Sequence, residues 1–363
     1  MILVSISLAF ASGENNGNAY GHYDVGDAST FATLPTVNEW PEGVVVDYNR
    51  DLVYVTGPAA SPTSGLGASW VMVYDLNTES LITTITVQGE NLSGEHALVE
   101  GALGPDGNLY VNSTVFGVIK FTVNGSAGNY SWTQSNYTSS SFPILVPLPP
   151  VPGLPPSIPN GMAFGPNGEL YVTDSMQGVL FMVPTGGGAP QPVMVAPSLG
   201  FFGGGRMGLN GIKLDPDREY LYFAFTGGVP FPGAPGANGA IYRLPVTDLT
   251  SAPQLVYTYG VNDIVDGLAF DKDDNLYVVL AGANAISVLS DLDGSPYESD
   301  FIAGPNGGLP FTQPSTISLD PHGKFALVVN HALDAVQVGA PVPNPSPFGV
   351  NKVYVGARGD SLP

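Results

Sequence analysis

The sequence repeats one pattern six times, and this repetition restricts the fold more than any other feature. In its clearest copy, residues 160–172, an apolar run that begins Asn-Gly is followed by Gly-Pro-Asn-Gly and then by a second apolar run. The Pro-Asn-Gly segment predicts a tight turn, because Pro presets φ and Gly or Asn accepts a positive φ. Each copy therefore predicts two antiparallel strands joined by a tight turn.

Further apolar runs follow these strand pairs, for example at 178–183, 192–196 and 240–244. Six repeats of four strands, each roughly 60 residues long, predict an all-β fold, a six-bladed β-propeller with four antiparallel strands per blade. We expect residues 20–363 to form this single domain. Closing the blades into a ring protects the sheet edges without disulfides, which suits a chain with no cysteine.

Composition excludes several classes of function. The net charge of −21, from 31 acidic and 10 basic residues, argues against nucleic acid as a partner, because phosphate binding needs clustered Lys and Arg. The absence of cysteine excludes thiol nucleophiles, thiolate zinc sites and iron–sulfur clusters. Apolar runs are too short to predict a membrane span. A closed propeller has no obligatory partner surface, so we expect a monomer that binds a small molecule.

The N-terminal region has features of a secreted protein. Residues 2–11 form an apolar run that ends in Ala-Phe-Ala, so we interpret residues 1–11 as the remnant of a secretion signal. Because no basic residue precedes the run, a buried first strand is the alternative. Five N-x-S/T sequons lie close together, at Asn91, Asn112, Asn124, Asn129 and Asn136. This cluster predicts an extracellular or secretory-pathway location and a glycosylated surface segment.

Aligning the repeats on their turns reveals a column of polar residues. The first position of the inner strand is occupied by Glu42, Val99, Asn160, Asn210, Asp266 and Ser315. In a propeller these positions encircle one mouth of the central channel. Two carboxylates and two amides, with no His or Cys, suit a hard cation such as Ca²⁺. Asn and Asp also begin strands simply by capping turns, but four in one column, each followed by Gly, favour a metal site.

The ordered set Glu42, Asn160, Asn210 and Asp266 resembles the metal ligands of the gluconolactonase/regucalcin-like propeller family, which is related to the paraoxonase and strictosidine-synthase-like propellers. The resemblance covers residues 39–338 and implies that these four side chains bind a catalytic divalent metal, most simply Ca²⁺. It further implies that the metal polarises a lactone or ester carbonyl or activates water. Asp266 would then act as general base or nucleophile.

Three other residues are candidates on the same face. The second strand of each blade runs back to the mouth, which places Asp174 and His331 near the column. Asp174 could support a metal ligand from behind or simply form a turn. His331 could carry protons or lie solvated at the rim. Arg206, four residues before Asn210, could bind a substrate oxyanion or be an ordinary surface Arg in a glycine loop.

A Pro-rich loop at 142–159, with the apolar segments 201–202 and 229–231, could cover the mouth and favour a hydrophobic substrate. These segments could equally pack on one another without a ligand. The leading hypothesis is a secreted, metal-dependent hydrolase of lactones or related esters. Two alternatives remain open: a cyclase, condensing or isomerising enzyme of secondary metabolism on the same scaffold, and a non-catalytic, calcium-stabilised binding propeller.

Overall fold

The computed structural model describes residues 23–34, 40–59, 67–126, 128–150, 154–201, 207–228, 236–303, 311–322, 324–332 and 348–360. The apolar run at 2–11, Arg206, Phe202 and the segment 229–231 lie outside them, so the predictions made for those positions stay predictions.

The chain forms six antiparallel sheets of four strands each, which confirms the six-bladed β-propeller. A first strand, β1 (Ala28–Thr33), precedes the repeats. Blade 1 contains β2 (Val44–Asp47), β3 (Leu52–Gly57), β4 (Trp70–Asp75) and β5 (Leu81–Thr86). Blade 2 contains β6 (Leu98–Leu103), β7 (Leu109–Ser113), β8 (Gly117–Ser126) and β9 (Asn129–Asn136). Blade 3 contains β10 (Pro159–Phe164), β11 (Leu170–Asp174), β12 (Val179–Val183) and β13 (Gln191–Val195).

A 3₁₀ turn, η1 (Pro197–Leu199), follows blade 3. Blade 4 contains β14 (Met207–Leu214), β15 (Tyr220–Gly227), β16 (Ala240–Pro245) and β17 (Gln254–Thr258). Blade 5 contains β18 (Val265–Phe270), β19 (Leu276–Leu280), β20 (Ala285–Ser290) and β21 (Tyr297–Ala303). Blade 6 contains β22 (Pro314–Leu319), β23 (Phe325–Asn330) and β24 (Gly349–Tyr354). Within the described ranges, no helix is long and apolar enough to cross a membrane.

Blade 6 is completed by the N-terminal strand rather than by a fourth strand of its own. β1 lies outermost in this sheet and pairs antiparallel with β24, with Ala28 opposite Val353 and Thr33 opposite Gly349. The sequence repeats did not reveal this strand, because β1 belongs to no strand–turn–strand unit. The ring is therefore closed by hydrogen bonds between the first and last described strands.

The apolar runs of the repeats are the inner strands, which are buried on both faces between neighbouring blades. Every residue of β3 is buried, whereas the outer strand β5 alternates between exposed and partly buried residues. Blade 1 packs its Val44 and Val46 against Leu327 and Val329 of blade 6 in one core cluster. Burial on both faces explains why these strands have continuous apolar runs instead of an alternating pattern.

The predicted turns between the first two strands of each blade are present. Gly107 has φ of 70° in the Pro-Asp-Gly turn of blade 2, and Gly168 has φ of 82° in the Pro-Asn-Gly turn of blade 3. These are left-handed conformations that a side chain would strain. Because the turns lie at one end of every blade, the starts of the six inner strands gather at the opposite end.

Candidate metal centre

The first position of each inner strand lies in an irregularity of the sheet. Pairing between first and second strands shifts around Val99, Asn160, Asn210, Asp266 and Ser315. In blade 1, Glu42 N donates to Thr56 O at 2.9 Å, and Thr56 N donates to Gly43 O at 3.0 Å, so two residues again oppose one. A β-bulge redirects the side chain at its site. The bulges therefore explain how these residues leave the regular pleat near the channel mouth.

The glycine that follows most of these positions allows neighbouring blades to approach closely. A Cβ added to Gly161 would lie 2.6 Å from Asn210 O, and one added to Gly267 would lie 2.6 Å from Ser315 O. Real Cβ atoms do not tolerate such contacts with backbone. The Asn-Gly and Asp-Gly pairs of the sequence thus combine a polar side chain with tight packing of adjacent inner strands.

Side chains of the preceding blade hold the backbone carbonyls of this column. Asn112 Nδ2 donates to Asn160 O at 2.6 Å, and Thr173 Oγ1 donates to Asn210 O at 2.6 Å. Thr316 Oγ1 donates to Glu42 O at 2.6 Å across the junction of blades 6 and 1. Since the carbonyls are bonded to the neighbouring blade, the side chains are left as the ligands available to the channel.

The role of Asn112 corrects one glycosylation prediction. Its side chain is 0% exposed and its amide nitrogen donates to the adjacent blade, so the folded chain has no room for a glycan there. The surface segment predicted from the sequons is therefore interrupted at this strand. The remaining four sequon residues, Asn91, Asn124, Asn129 and Asn136, are exposed.

The four predicted metal ligands line one pocket of about 110 Å³ at the mouth of the channel, together with Val99 and His331. Glu42, Asn160 and Asn210 are 4–6% exposed, and Asp266 is partly exposed toward the pocket. The structure thus brings Glu42, Asn160, Asn210 and Asp266 together from four different blades, as the alignment of the repeats predicts.

Two hydroxyl groups orient the amides of this set. Asn160 Nδ2 donates to Ser175 Oγ at 3.0 Å, and Asn210 Nδ2 donates to Thr226 Oγ1 at 3.0 Å. With each nitrogen bonded to its own blade, each Oδ1 is the atom left to act as an acceptor in the pocket. Sequence reasoning did not identify Ser175 and Thr226. Both occupy the same aligned position on the second strand of their blades: Ser175 lies three residues after the residue that pairs with Met162, and Thr226 lies three residues after the residue that pairs with Ile212.

His331 occupies that same aligned position in blade 6, because Ile317 pairs with Val328. Its Nδ1 contacts the carboxylate of Glu42. Its backbone N donates to Gln313 O at 3.0 Å, and its Nε2 is buried without a hydrogen-bond partner among the described residues. The structure therefore places His331 directly beside one predicted ligand, with one ring nitrogen still available.

Asp174 does not line the pocket but lies behind it, at the turn that follows β11. It is fully buried and accepts hydrogen bonds from Ser157 Oγ at 2.6 Å and from Gln177 Nε2 at 2.8 Å. Burial raises the pKa of this carboxyl, and the hydrogen bonds from Ser157 and Gln177 oppose that rise. Asp174 also accepts from Met176 N at 3.0 Å, so it fixes the turn that presents Ser175 to Asn160.

Negative charge is concentrated in this part of the channel. Removal from water raises the pKa of Asp266 well above its usual range, and the charges of Glu42 and Glu100 raise it further. A hydrogen bond with Asn210 offsets part of this effect. Burial likewise raises the pKa of Glu100, against the lowering effect of Lys213. A bound cation would relieve the repulsion among these three carboxylates.

The side chains present fit a hard divalent cation. Glu42 and Asp266 supply carboxylate oxygens, and the orientation of Asn160 and Asn210 leaves two amide oxygens, which is the all-oxygen set that Ca²⁺ prefers. In the part of the chain that the structure describes, no three His, Cys, Asp or Glu side chains form a group able to hold a metal. The amide oxygens are therefore essential to any metal site here.

One wall of the pocket is apolar. Val99, Ile158, Met176 and Phe201 form a buried cluster, against which Leu148, Leu154 and Met207 pack. Val99, Ile158 and Met207 also line the pocket itself. Gln177 anchors the described part of the Pro-rich loop, because its Oε1 accepts from Leu145 N at 2.6 Å and its Nε2 donates to Pro143 O at 3.1 Å.

No protein-family model matches the sequence, and no curated protein is significantly similar to it. Solved structures, however, share its fold. A regucalcin, a calcium-binding protein from Agrobacterium tumefaciens, matches with a TM-score of 0.60 and 13% identity over 93% of this chain and 95% of its own. A candidate gluconolactonase matches with a TM-score of 0.52 and 13% identity over 92% and 94%.

A virginiamycin B lyase from Staphylococcus aureus matches with a TM-score of 0.52 and 15% identity over 84% and 82%. These identities show the fold alone. At that level they confirm the resemblance to gluconolactonase/regucalcin-like six-bladed propellers. The set of neighbours includes proteins of different reaction classes, so the chemistry must be argued from the pocket.

Proposed function

We propose that the chain is a metal-dependent hydrolase of lactones or related esters that carry an apolar substituent. The observation that supports this most is the convergence of Glu42, Asn160, Asn210 and Asp266 on one pocket, with both amides turned so that oxygen is free. The apolar wall formed by Val99, Ile158 and Met207 favours a hydrophobic group over a free sugar.

A divalent metal bound to these four side chains would supply Lewis-acid polarisation of a carbonyl oxygen. The chain's own residues would perform the remaining steps. Asp266 is partly exposed to the pocket, so its carboxylate can accept a proton from attacking water or attack the acyl carbon itself. Its crowding with Glu42 and Glu100 favours proton uptake at this position.

His331 would assist from the rim. Contact with the Glu42 carboxylate fixes the ring through Nδ1, which leaves Nε2 as the atom that exchanges a proton within the pocket. Asp174 would act only through the turn that holds Ser175, and so would orient the Asn160 amide rather than touch substrate. Arg206 lies outside the described residues, so its role in binding a substrate oxyanion stays a prediction.

We also propose a secreted, glycosylated protein. Support comes from the exposure of Asn91, Asn124, Asn129 and Asn136 and from the apolar run at 2–11.

The proposal is tested by stripping the purified protein with chelator, adding back Ca²⁺, and measuring turnover on aliphatic lactones, gluconolactone and aryl esters. We expect activity that requires the metal and increases with the length of an alkyl substituent. Product masses separate the reaction classes, because hydrolysis adds one water whereas elimination, cyclisation and isomerisation do not. Turnover that is unaffected by metal removal, or products without added water, would overturn the proposal.

A further inference from the structure

In the central channel, a partly buried ion pair joins two blades that are not neighbours. Lys213 Nζ of β14 in blade 4 lies 2.6 Å from Glu100 Oε1 of β6 in blade 2. Blade 3 separates these blades, so the contact runs through the central channel. The Glu100 side chain is 4% exposed and the Lys213 side chain 24%, which makes this an enclosed pair rather than a surface salt bridge.

Both residues are exceptions in the aligned repeats. At the position of Glu100, which directly follows the metal column, four of the other five repeats have Gly and the sixth has Thr316. At the position of Lys213, the others have Val45, Ala102, Ala163, Ala269 and Ser318. The only acidic residue in one column thus meets the only basic residue in the other. Packing of the propeller does not require this pair, since the remaining repeats pack with small or apolar residues.

The pair lies between two compartments. On one side is the pocket of Glu42 and Asp266, and on the other is a cavity of about 120 Å³ at the opposite end of the channel, which Lys213 lines. Glu100 also acts on the metal pocket through its charge, which raises the pKa of Asp266. The charge of Glu42 in turn raises the pKa of Glu100. The three carboxylates and the ammonium therefore belong to one electrostatic group.

We propose that Lys213 is the resident counter-ion of the metal centre, and that the Glu100–Lys213 pair sets the charge of that centre and thereby its affinity for a divalent cation. Three carboxylates and one ammonium leave two net negative charges, which match one divalent cation. The ammonium donates to Glu100 Oε1 at 2.6 Å and so holds this carboxylate in place. This inference rests on the proposed function, in that it concerns the same cation.

The proposal predicts that cation affinity follows charge across three variants. Lys213→Met adds one net negative charge, Glu100→Gln removes one, and the double variant Glu100→Gln/Lys213→Met restores the original balance with a neutral pair. At an effective dielectric constant of about 20, one unit charge at side-chain distances changes a divalent ion's binding by roughly tenfold or more. We expect the Kd for Ca²⁺ to fall at least tenfold in the first variant, rise at least tenfold in the second, and return to within about threefold in the double variant.

Isothermal titration with CaCl₂ alone measures these affinities without any substrate, and thermal unfolding with and without CaCl₂ checks the fold. Lys213→Met leaves Glu100 buried without a partner, which can prevent folding in the absence of cation. Folding of that variant only in the presence of Ca²⁺ would also support the proposal. If it does not fold in either condition, Glu100→Gln and the double variant carry the comparison.

The inference is overturned if the wild-type protein binds Ca²⁺ and the variants bind it equally well. It is also overturned if all three variants bind Ca²⁺ more weakly, because a merely structural pair would weaken binding in every case. Failure of the proposed function gives a different result. A wild-type protein that binds no divalent cation would reject the metal centre itself, before any variant is compared.

Discussion

Asp266→Asn should stabilise the metal-free protein while weakening its response to metal. Asp266 shares the channel with Glu42 and Glu100, and Lys213 is paired with Glu100. For side chains about 5–8 Å apart at an effective dielectric constant of about 20, each like-charge pair costs about 2–3 kcal/mol. Allowing for relaxation and partial proton uptake, removing this charge should add about 1–3 kcal/mol to the free energy of unfolding.

The effect should depend on pH in a defined direction. The folded pKa of Asp266 lies above its unfolded value, so the folded state binds the proton more tightly. Stability that this group provides at low pH is then lost as pH rises from the ordinary Asp pKa, about 3.9, through the raised folded value. The metal-free wild type and Asp266→Asn should therefore be similar near pH 4 and should diverge toward neutral pH.

Differential scanning calorimetry of chelator-treated protein measures this difference. A chain of 363 residues gains about 1.3 °C in Tm per kcal/mol, so the variant should melt about 1–4 °C higher at neutral pH. Added Ca²⁺ should raise the wild-type Tm strongly and that of the variant much less. Asp174→Asn is the matched control, because its buried carboxylate accepts several hydrogen bonds and the same substitution should lower Tm.

The reasoning would be refuted if Asp266→Asn lowered the metal-free Tm as Asp174→Asn does, with the Ca²⁺ response intact. Asp266 would then be an ordinary structural carboxylate that the fold needs as a hydrogen-bond acceptor.

Three further predictions concern catalysis, ligand orientation and processing. At saturating Ca²⁺, Asp266→Asn should reduce lactone or ester turnover by roughly 10²-fold or more, and an unchanged kcat would exclude Asp266 as base or nucleophile. Ser175→Ala should release the Asn160 amide and raise the Kd for Ca²⁺ about 3–10-fold in titration calorimetry, with excess metal restoring the rate; no change in Kd would show that the hydroxyl does not orient a ligand. Protein from a eukaryotic secretory host should exceed its polypeptide mass, and Asn112→Gln should not alter the glycan mass; a bare polypeptide mass would count against secretion.

Much of the architecture was predictable because it consists of one short sequence unit that is repeated along the chain. The Pro-Asn-Gly turn around Gly168 and the apolar strands on either side of it form a unit that needs no distant partner to be recognised. Repetition then fixes the number of blades. The same alignment brought Glu42, Asn160, Asn210 and Asp266 into one column, because equivalent positions in a closed ring are neighbours in space.

Features that join different repeats were harder to predict. Glu100 lies one residue after the metal column, so an alignment of that column alone does not include it. The bulge at Val99 nevertheless places the Glu100 side chain in the channel. Its departure from a column of glycines was the available signal. Ser175 and Thr226 were missed for a related reason, since a hydroxyl at a strand end acquires meaning only once the register between strands is known.

Closure of blade 6 by β1 makes completion of the ring depend on a strand near the other end of the sequence. The first described strand leaves the ribosome before any blade exists, but its partner β24 lies more than 300 residues later in the chain. β1 can therefore pair only after β24 has been synthesised, and closing a loop of that length carries an entropic cost. The contact of His331 with Glu42 and the hydrogen bond from Thr316 to the Glu42 carbonyl both cross the junction that this step completes. A chain still under synthesis therefore lacks the finished pocket, and competence to hold a cation would arise only when the two ends of the propeller have met.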